Sequence, residues 1–196
     1  MNLFDQWQST KNFSDKSVDR ETLEEIFEEK SSSDEFDGKL KDKVSLLDVV
    51  KKAKEEDKKI VFTNGCFDIL HVGHIRYLKK AASLGDKLVL AVNSDSSVKN
   101  LKGGSRPFVP EAERLEMLAA LEMIDYLILF SEIDARALLE EIKPQLYVKG
   151  GDYRIKDLPE AETVYNYGGK IILISEVKGK STTNIIKKIR QSKDEK

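Results

Sequence analysis

Cysteine and histidine are the scarcest reactive residues in this 196-residue chain, which contains one cysteine and two histidines. A single cysteine cannot form a disulfide within the chain, and this agrees with a reducing compartment. Because there is no third histidine, a closed structural zinc site with four protein ligands is not expected. A chain of this length can bury a substantial core, and we expect one domain.

The sequence also lacks a long apolar run and a strong excess of one charge. No stretch approaches the ~20 apolar residues that span a bilayer, and the N-terminal segment MNLFDQWQST lacks the basic and apolar regions of a signal peptide. The formal net charge of -2 and the pI near 5.9 are unlike those of a general nucleic-acid binder, whose field would be basic. We therefore expect a cytoplasmic protein that binds neither nucleic acid nor a membrane.

The N-terminal part of the chain differs in composition from the rest. Residues 1–44 are polar and acidic, which is typical of a solvated extension. Leu23, Ile26 and Phe27 recur at helical spacing, so a short amphipathic helix within this extension is an alternative. Beyond residue 45 there are twenty-six basic and twenty-three acidic side chains. The expected domain, residues 45–196, is thus mildly cationic and suits an anionic small ligand.

The domain alternates between apolar runs and amphipathic segments. Five runs are predicted as buried strands: IVFTN at 60–64, KLVLAV at 87–92, YLILF at 126–130, QLYVK at 145–149 and KIILIS at 170–175. Helices are predicted between them, and before the first strand SLLDVVKKAKEEDKK forms a helix with Ser45 as its N-cap. Right-handed crossovers make a doubly wound, Rossmann-like five-stranded parallel sheet the expected α/β fold, with strand order 3-2-1-4-5.

Both histidines and the cysteine are crowded into one segment, TNGCFDILHVGH, directly after the apolar part of the first predicted strand. In a doubly wound sheet, ligands bind outside the carboxyl ends of the strands. Asn64 and Gly65 can form a tight turn there, and Gly73 lets backbone approach a ligand without a Cβ in the way. A helix beginning near His74 would point free N–H groups into the same space, and His71 lies about one helical turn away, so both rings can face one anion.

Three other interpretations of this segment stay open. The two histidines could be satisfied side chains in a crowded loop, although a pair that flanks a glycine at a strand-to-helix turn favours ligand binding. Their spacing also suits zinc, but a third histidine is lacking. Cys66 and His71 could form a nucleophilic pair, although a small, fairly apolar residue near a strand end is typical of packing.

Five motifs in series carry a family resemblance. They are TNGCFDILHVGH, then AVNSD at 91–95, LKGGSRP at 101–107, VKGGDY at 148–153 and STTNII at 181–186. Together they resemble the cytidylyltransferase-like nucleotidyltransferases with the HxGH signature, over about residues 45–191. Within this superfamily the chain is most similar to the bacterial heptose 1-phosphate adenylyltransferases.

The resemblance implies transfer of AMP from ATP to D-glycero-beta-D-manno-heptose 1-phosphate, which gives ADP-heptose and pyrophosphate for lipopolysaccharide core or surface-glycan precursors. Both reactants are anions, and two like unit charges ~4 Å apart repel by roughly 4 kcal/mol at an effective dielectric of ~20, so the site must supply donors or cations. The attacking phosphate is already ionised, so no catalytic base is needed. Mg²⁺ is expected to accompany ATP.

By the same resemblance, the catalytic side chains are His71, His74 and Lys102, of which the two imidazoles donate to phosphate oxygens. The residues expected to contact the nucleotide are Asn64, Gly65, Phe67, Asp68, Gly73, Arg114, Gly150, Gly151, Asp152, Ser181, Thr182 and Thr183. The residues expected to bind the sugar phosphate, or to orient the loop after the second strand, are Asn93, Asp95 and Arg106.

Some of these residues have a purely structural alternative. Arg114 could form a surface ion pair with Glu111 or Glu113, and the hydroxyl residues at 181–183 could cap the last helix. Asp152 could hold a hydroxyl, a base amino group or, through water, Mg²⁺. No other side chain is proposed as a metal ligand.

Two other functions stay open. One is that of a relative which uses CTP with glycerol 3-phosphate, although Glu176 stands where that group typically has an arginine. The other is a non-catalytic nucleotide sensor, which could lose the histidine pair that this chain keeps. The expected partners are therefore ATP and a sugar 1-phosphate, with a homodimer expected by resemblance.

Overall fold

A computed structural model of the chain describes residues 38–151, 154–175 and 182–194. Its sheet has five parallel strands: β1 (Ile60–Gly65), β2 (Lys87–Asn93), β3 (Tyr126–Phe130), β4 (Leu146–Gly150) and β5 (Lys170–Ile174). Their order is β3-β2-β1-β4-β5, which confirms the predicted order. The strand order reverses between β1 and β4, so the loops after these two strands flank one crevice.

Helices cover both faces of this sheet in the described ranges: α1 (Lys43–Glu55), α2 (Val72–Ala82), α3 (Asp95–Lys102), α4 (Glu111–Ala119), α5 (Arg136–Ile142), α6 (Ala161–Asn166) and α7 (Thr182–Asp194). A short 3-10 turn, Ile155–Asp157, follows β4. None of the helices in these ranges is long and apolar enough to cross a bilayer.

Two hydrophobic clusters hold the layers together, one on each face of the sheet. Phe62 of β1 and Tyr147 of β4 belong to the cluster that includes α1, α5 and α6. Val61 and Val148, the neighbours of those residues in sequence, belong to the cluster that includes α2 and α4. Because successive strand residues point to opposite faces, each apolar strand must be buried on both sides, which explains the continuous apolar runs in the sequence.

The start of α1 differs from the prediction. Its N-cap is Asp42, whose Oδ1 accepts from the Ser45 amide at 3.0 Å and whose Oδ2 accepts from the Ser45 hydroxyl at 2.7 Å. A carboxylate caps a helix as well as a hydroxyl does, and it adds a favourable interaction with the helix dipole. Ser45 therefore lies within the first turn.

Residues just before α1 run beside β3. The Leu127 amide donates to the Lys39 carbonyl at 2.8 Å, and the Lys41 amide donates to the Leu127 carbonyl at 2.9 Å. The described residues before position 45 are therefore hydrogen-bonded to the edge of the sheet. The amphipathic helix considered for Leu23, Ile26 and Phe27 lies outside the described residues.

One helix, α3, was not predicted. Ser94 caps it by accepting from the Ser97 amide at 3.2 Å, and Val98 packs inward with no exposed surface. Gly103 follows its last residue with a φ of +96°, a conformation that favours glycine. Its serine-rich sequence has modest helix propensity, so tertiary packing and the cap stabilise it more than composition does.

Gly150 makes room for an aromatic ring that joins two strands to α2. A Cβ at this position would lie 2.8 Å from the ring of Tyr77. The hydroxyl of that tyrosine lies 2.5 Å from the Thr63 hydroxyl and donates to the Val148 carbonyl at 3.1 Å. The close approach of the ring gives this glycine a packing role.

Replacing Gly150 with alanine should destabilise the domain by about 1–3 kcal/mol, because the added methyl group must displace the Tyr77 ring. The matched control is Gly104→Ala, since a Cβ there has no atom within 4 Å. That control should change the free energy of unfolding by less than about 0.5 kcal/mol. Equilibrium urea denaturation measures both, and equal stability of the two variants would contradict the packing argument.

Candidate active site

A cavity of about 590 Å³ opens at the carboxyl ends of the central strands. This volume lies in the range of small-molecule sites. Its wall includes eleven of the residues named from the sequence: Asn64, Gly65, Phe67, Asp68, His71, Gly73, His74, Asn93, Lys102, Arg106 and Gly150. Thr182 and Thr183, at the start of α7, complete this set. The five motifs therefore converge on one cavity, as expected for loops that follow parallel strands.

The histidine turn begins α2 earlier than predicted. The helix starts at Val72, and His71 is its N-cap residue with extended backbone (φ -147°, ψ 168°). The His74 amide donates to the His71 carbonyl at 2.9 Å. The amides of Val72 and Gly73 in this first turn have no partner within the helix, and they stand at the positive end of its dipole. A helix therefore begins in this turn, as predicted, and anion binding at its amino end stays a prediction.

The two imidazoles stack against each other. Their ring centroids are 3.9 Å apart with an interplanar angle of 16°. Phe67 packs on the His74 ring at 5.1 Å and 55°. Burial, and then the charge of His71, lower the pKa of His74 to about 4. His74 is therefore a neutral imidazole at pH 7.

The Nδ1 atom of His74 is a buried polar atom without a hydrogen-bond partner in the described part of the chain. A neutral imidazole carries one N–H donor and one acceptor nitrogen. The ring can therefore donate a hydrogen bond to a phosphate oxygen without bringing a buried cation into the site.

Lys102 is an exposed cation on the cavity wall. It is the last residue of α3. Gly103 and Gly104 follow it, and neither has an atom within 4 Å of an added Cβ. The predicted glycine-rich loop is therefore shorter than expected, because its first residues are helical.

Asp68, which lies between β1 and α2, binds the loop that follows α3, at residues 106–109. Its carboxylate is 2 % exposed and accepts from the Nε of Arg106. The amides of Phe108 and Val109 donate to the other carboxylate oxygen at 2.7 and 2.9 Å. Both oxygens are thus occupied by protein donors. The structure gives Asp68 and Arg106 a role in fixing the loop. For Arg106 this was one of the two expected roles, whereas Asp68 was expected to contact the nucleotide.

Arg114 does not reach the cavity, in contrast to expectation. Its side chain is fully buried, with Nη1 donating to the carbonyls of Cys66 at 2.5 Å and Asn93 at 2.8 Å. Nε donates to the Val109 carbonyl at 3.0 Å, and Nη2 pairs with Asp95 at 2.8 Å. This network replaces the phosphate contact expected for Arg114. It also replaces the surface ion pair considered as the alternative, and it accounts for Asp95.

Asn93, at the end of β2, and Cys66, just after β1, also have structural roles. Asn93 is buried and donates through its Nδ2 to the Ser97 hydroxyl at 3.0 Å, which links β2 to α3. Cys66 donates weakly to Asn93 Oδ1 at 3.9 Å, and burial raises the pKa of its thiol. The neutral thiol is a poor nucleophile, so the packing interpretation of Cys66 is the better one.

Some of the remaining predicted residues have structural contacts, and others lie outside the described residues. A Cβ on Gly65 would lie 2.8 Å from the Phe67 ring, so this glycine is also needed for packing. Gly151 does not line the cavity, and it has a φ of +128° and donates to the Ile174 carbonyl at 3.1 Å. Thr182 donates to the Ile69 carbonyl at 3.4 Å. Asp152 and Ser181 lie outside the described residues.

The cavity wall also carries side chains that were not singled out from the sequence, among them Tyr77, Lys149 and Glu160. Tyr77 lies three residues after His74, and this helical spacing was the signal that could have found it. Lys149 belongs to the motif VKGGDY but was given no role. Glu160 was interpreted only as part of a helix.

Comparison with known proteins assigns the chain to a family. A sequence profile described as cytidylyltransferase-like matches residues 62–188. The chain belongs to the cytidylyltransferase-like family. This confirms the resemblance found in the motifs. In this family member the matched region begins in β1 and ends in α7, so it covers the sheet and the whole cavity.

The chain is similar in sequence to part of several bifunctional HldE proteins. The bifunctional protein HldE of Geotalea uraniireducens is 51 % identical over 154 residues, which are 79 % of this chain and 31 % of that protein. HldE of Geobacter metallireducens is 52 % identical over 153 residues, 78 % of this chain and 31 % of that protein. The chain therefore spans about a third of the length of these curated relatives.

Two solved structures share the fold of the family member described here. The lipopolysaccharide core biosynthesis protein of Thermoplasma volcanium has a TM-score of 0.50 and 33 % identity, and the match covers 61 % of this chain and 97 % of that one. The pantoate-beta-alanine ligase of Francisella tularensis has a TM-score of 0.50 and 17 % identity, with 76 % and 75 % coverage. The second likeness shows the fold alone.

Replacing Asp68 with asparagine should destabilise this domain by roughly 3 kcal/mol, because the Arg106 guanidinium loses its buried counter-charge. The matched control is Asp48→Asn on the exposed side of α1, which should change little. Thermal denaturation monitored by circular dichroism compares the variants. An Asp68→Asn protein as stable as the control would show that the carboxylate is not a structural anchor.

The imidazole of His74 should titrate near pH 4 in NMR spectra of the unliganded protein. Because this pKa lies below the value of about 6.5 for an unfolded chain, the unfolded state binds more protons between these pH values. His74 should thus make the domain less stable as pH falls from 6.5 to 4, by up to roughly 1.4 kcal/mol per pH unit.

A His71→Gln variant leaves one histidine resonance and so assigns it. Loss of the neighbouring charge should raise the pKa of His74, but burial should keep it below 6.5. Titration of His74 near 6.5 in the unmodified protein would contradict the burial argument.

Proposed function

We propose that this chain is an adenylyltransferase that transfers AMP from ATP to D-glycero-beta-D-manno-heptose 1-phosphate and releases pyrophosphate. The observation that carries the proposal is the stacked pair His71 and His74 at the amino end of α2, facing a cavity that Lys102 also lines. The HldE relatives support the heptose acceptor, and the Thermoplasma protein, named for lipopolysaccharide core synthesis, supports the use of the product.

The first task of the site is to hold the triphosphate. The first turn of α2 and the two imidazoles line the same cavity, and backbone amides and imidazole N–H groups are donors that suit phosphate oxygens. His74 is neutral before ATP binds, so the site avoids the desolvation of a buried cation. The approach of an anion then favours protonation of the ring and strengthens its hydrogen bond.

The chemical step joins a phosphate oxygen of the sugar 1-phosphate to the α-phosphorus of ATP. The bond from that phosphorus to the oxygen bridging to the β-phosphate breaks, and pyrophosphate leaves with the bonding electron pair. Negative charge therefore grows on the β-phosphate oxygens. His71, His74 and Lys102 stabilise this charge as donors and as a cation, so the catalytic contribution is positioning and electrostatics.

Mg²⁺ is proposed to enter with ATP, where it would neutralise phosphate charge. The described residues include no group of three His, Cys, Asp or Glu side chains that could hold a metal ion. Mg²⁺ is commonly bound by substrate phosphates and water with few protein ligands, so the donor set agrees with a nucleotide-borne ion. The homodimer, the cytoplasmic location and the use of ATP over CTP stay proposals of the same kind.

An assay of pyrophosphate release tests the proposed activity and distinguishes it from the two alternatives. We expect turnover with ATP and heptose 1-phosphate in the presence of Mg²⁺, and much slower turnover with other sugar 1-phosphates, with glycerol 3-phosphate or with CTP. Turnover only with CTP and glycerol 3-phosphate would identify a cytidylyltransferase. Nucleotide binding without turnover on any pair would identify a sensor.

Replacing His74 with alanine should lower kcat by about 10²–10³-fold, because a donor to the leaving group is lost. Lys79→Ala, on the exposed side of the same helix, is the control and should retain normal turnover. Circular dichroism checks that both variants fold. A folded His74→Ala enzyme at a near-normal rate would refute the role of the imidazole.

A further inference from the structure

The cavity has two sides, because side chains from the strand ends alternate between the faces of the sheet. On the α2 side, Tyr77 bonds to Thr63 and to the carbonyl of Val148, and the histidine pair lies on the same helix. On the opposite side, Asn64 Oδ1 accepts from the Tyr147 hydroxyl at 2.9 Å and from the Lys149 ammonium at 3.0 Å. The phosphate-binding groups therefore leave this second side to another part of the substrates.

Lys149 forms a buried but loose ion pair on the second side. Its Nζ lies 3.9 Å from Oε1 of Glu160, with side-chain exposures of 17 % and 3 %. A direct charge-assisted hydrogen bond would be about 2.7–2.9 Å long. The ammonium and the carboxylate thus attract each other without a short bond. Both side chains line the cavity, so a ligand atom can reach them.

Glu160 has an unused hydrogen-bond acceptor. The residue is 2 % exposed, and its Oε2 is buried with no partner among the described residues. Burial is also the main reason why the pKa of Lys149 is lowered, since Asn64 and the distant carboxylate only partly replace water. Buried polar groups normally have partners, so an unpartnered carboxylate oxygen on a residue that lines the cavity points to a ligand.

We propose that Lys149 and Glu160 bind adjacent hydroxyl groups of the acceptor sugar and so select a polyhydroxylated acceptor. A hydroxyl can donate to Glu160 Oε2 while a hydroxyl next to it accepts from the Lys149 ammonium. The inference deepens the proposed function and rests on it for the identity of the sugar.

The charges on this side favour hydroxyl groups over phosphate. Asp134 also lines the cavity, and its hydrogen bonds from Arg136, 3.0 Å from Nε to either carboxylate oxygen, lower the pKa of its carboxyl. The two carboxylates are balanced by Lys149 and by Arg136, so this part of the cavity has no net positive charge to attract a phosphate. The phosphate of the acceptor then lies toward the histidines and Lys102, and its sugar ring toward Lys149 and Glu160.

Calorimetric titration of the full chain with heptose 1-phosphate and, separately, with ATP tests the assignment. Glu160→Gln keeps the shape but removes the charge, and it should weaken binding of the sugar phosphate by tenfold or more while changing ATP affinity less than about twofold. Glu162→Gln, an exposed residue of α6, is the control and should alter neither affinity.

The double variant Lys149→Met with Glu160→Gln guards against misfolding, since it removes both buried charges together. It should fold and should also bind the sugar phosphate at least tenfold less tightly. A deoxy sugar 1-phosphate that lacks the contacted hydroxyl should bind the wild type less tightly than the parent sugar, whereas the Glu160→Gln variant should not distinguish the two. A purely structural pair would not produce this loss of discrimination.

Weakened ATP binding with unchanged sugar binding would overturn the proposal and assign the pair to the base. Unchanged affinity for both ligands would overturn it in favour of a structural ion pair, and so would failure of the wild type to bind any sugar phosphate. Binding of heptose 1-phosphate that depends on Glu160, but without pyrophosphate release, would refute the adenylyltransferase and leave the hydroxyl site standing.

Discussion

The arrangement of the site depends on the buried guanidinium of Arg114. It donates to carbonyl oxygens of Cys66, just after β1, and of Asn93, at the end of β2, and to that of Val109, just before α4. A guanidinium has five donors in one rigid plane and keeps its charge in the interior, where Asp95 balances it. These bonds join the segment just after β1 to the end of β2 and to the loop before α4, and Arg114 itself does not line the cavity.

Burial shifts the groups in front of that wall toward their neutral forms. The pKa of His74 falls to about 4, and the pKa of Lys149 is lowered for the same main reason. Burial destabilises the positively charged form of each group unless an anion or a ligand dipole lies nearby. In the proposed reaction, substrate binding therefore adds to the hydrogen-bonding capacity of the site as well as using it, and at His74 the increase occurs beside the phosphates.

The fold could be predicted because its signals are local and repeated. YLILF, for example, is apolar along its whole length, as a strand buried on both faces must be, and its strand has the predicted bounds. The convergence of the motifs followed from their places after parallel strands. The direction of individual side chains did not follow. A position on a helix does not reveal that Arg114 points inward to three carbonyls, or that Asp68 is saturated by Arg106 and two amides. Likewise, eleven positions separate Lys149 from Glu160 in the sequence, and only the folded structure shows that Lys149 Nζ lies 3.9 Å from Glu160 Oε1.

The anchoring of the loop by Asp68 also affects how product leaves. Arg106 fixes the far end of the loop, and α3 fixes the near end at Lys102, so only residues 103–105 lie between two rigid supports. Two of these three are glycines with open space around them. In the proposed reaction, the Lys102 ammonium therefore has room to follow the departing pyrophosphate over the length of its own side chain. Release of that product would need changes only in one side chain and in the backbone torsions of residues 103–105.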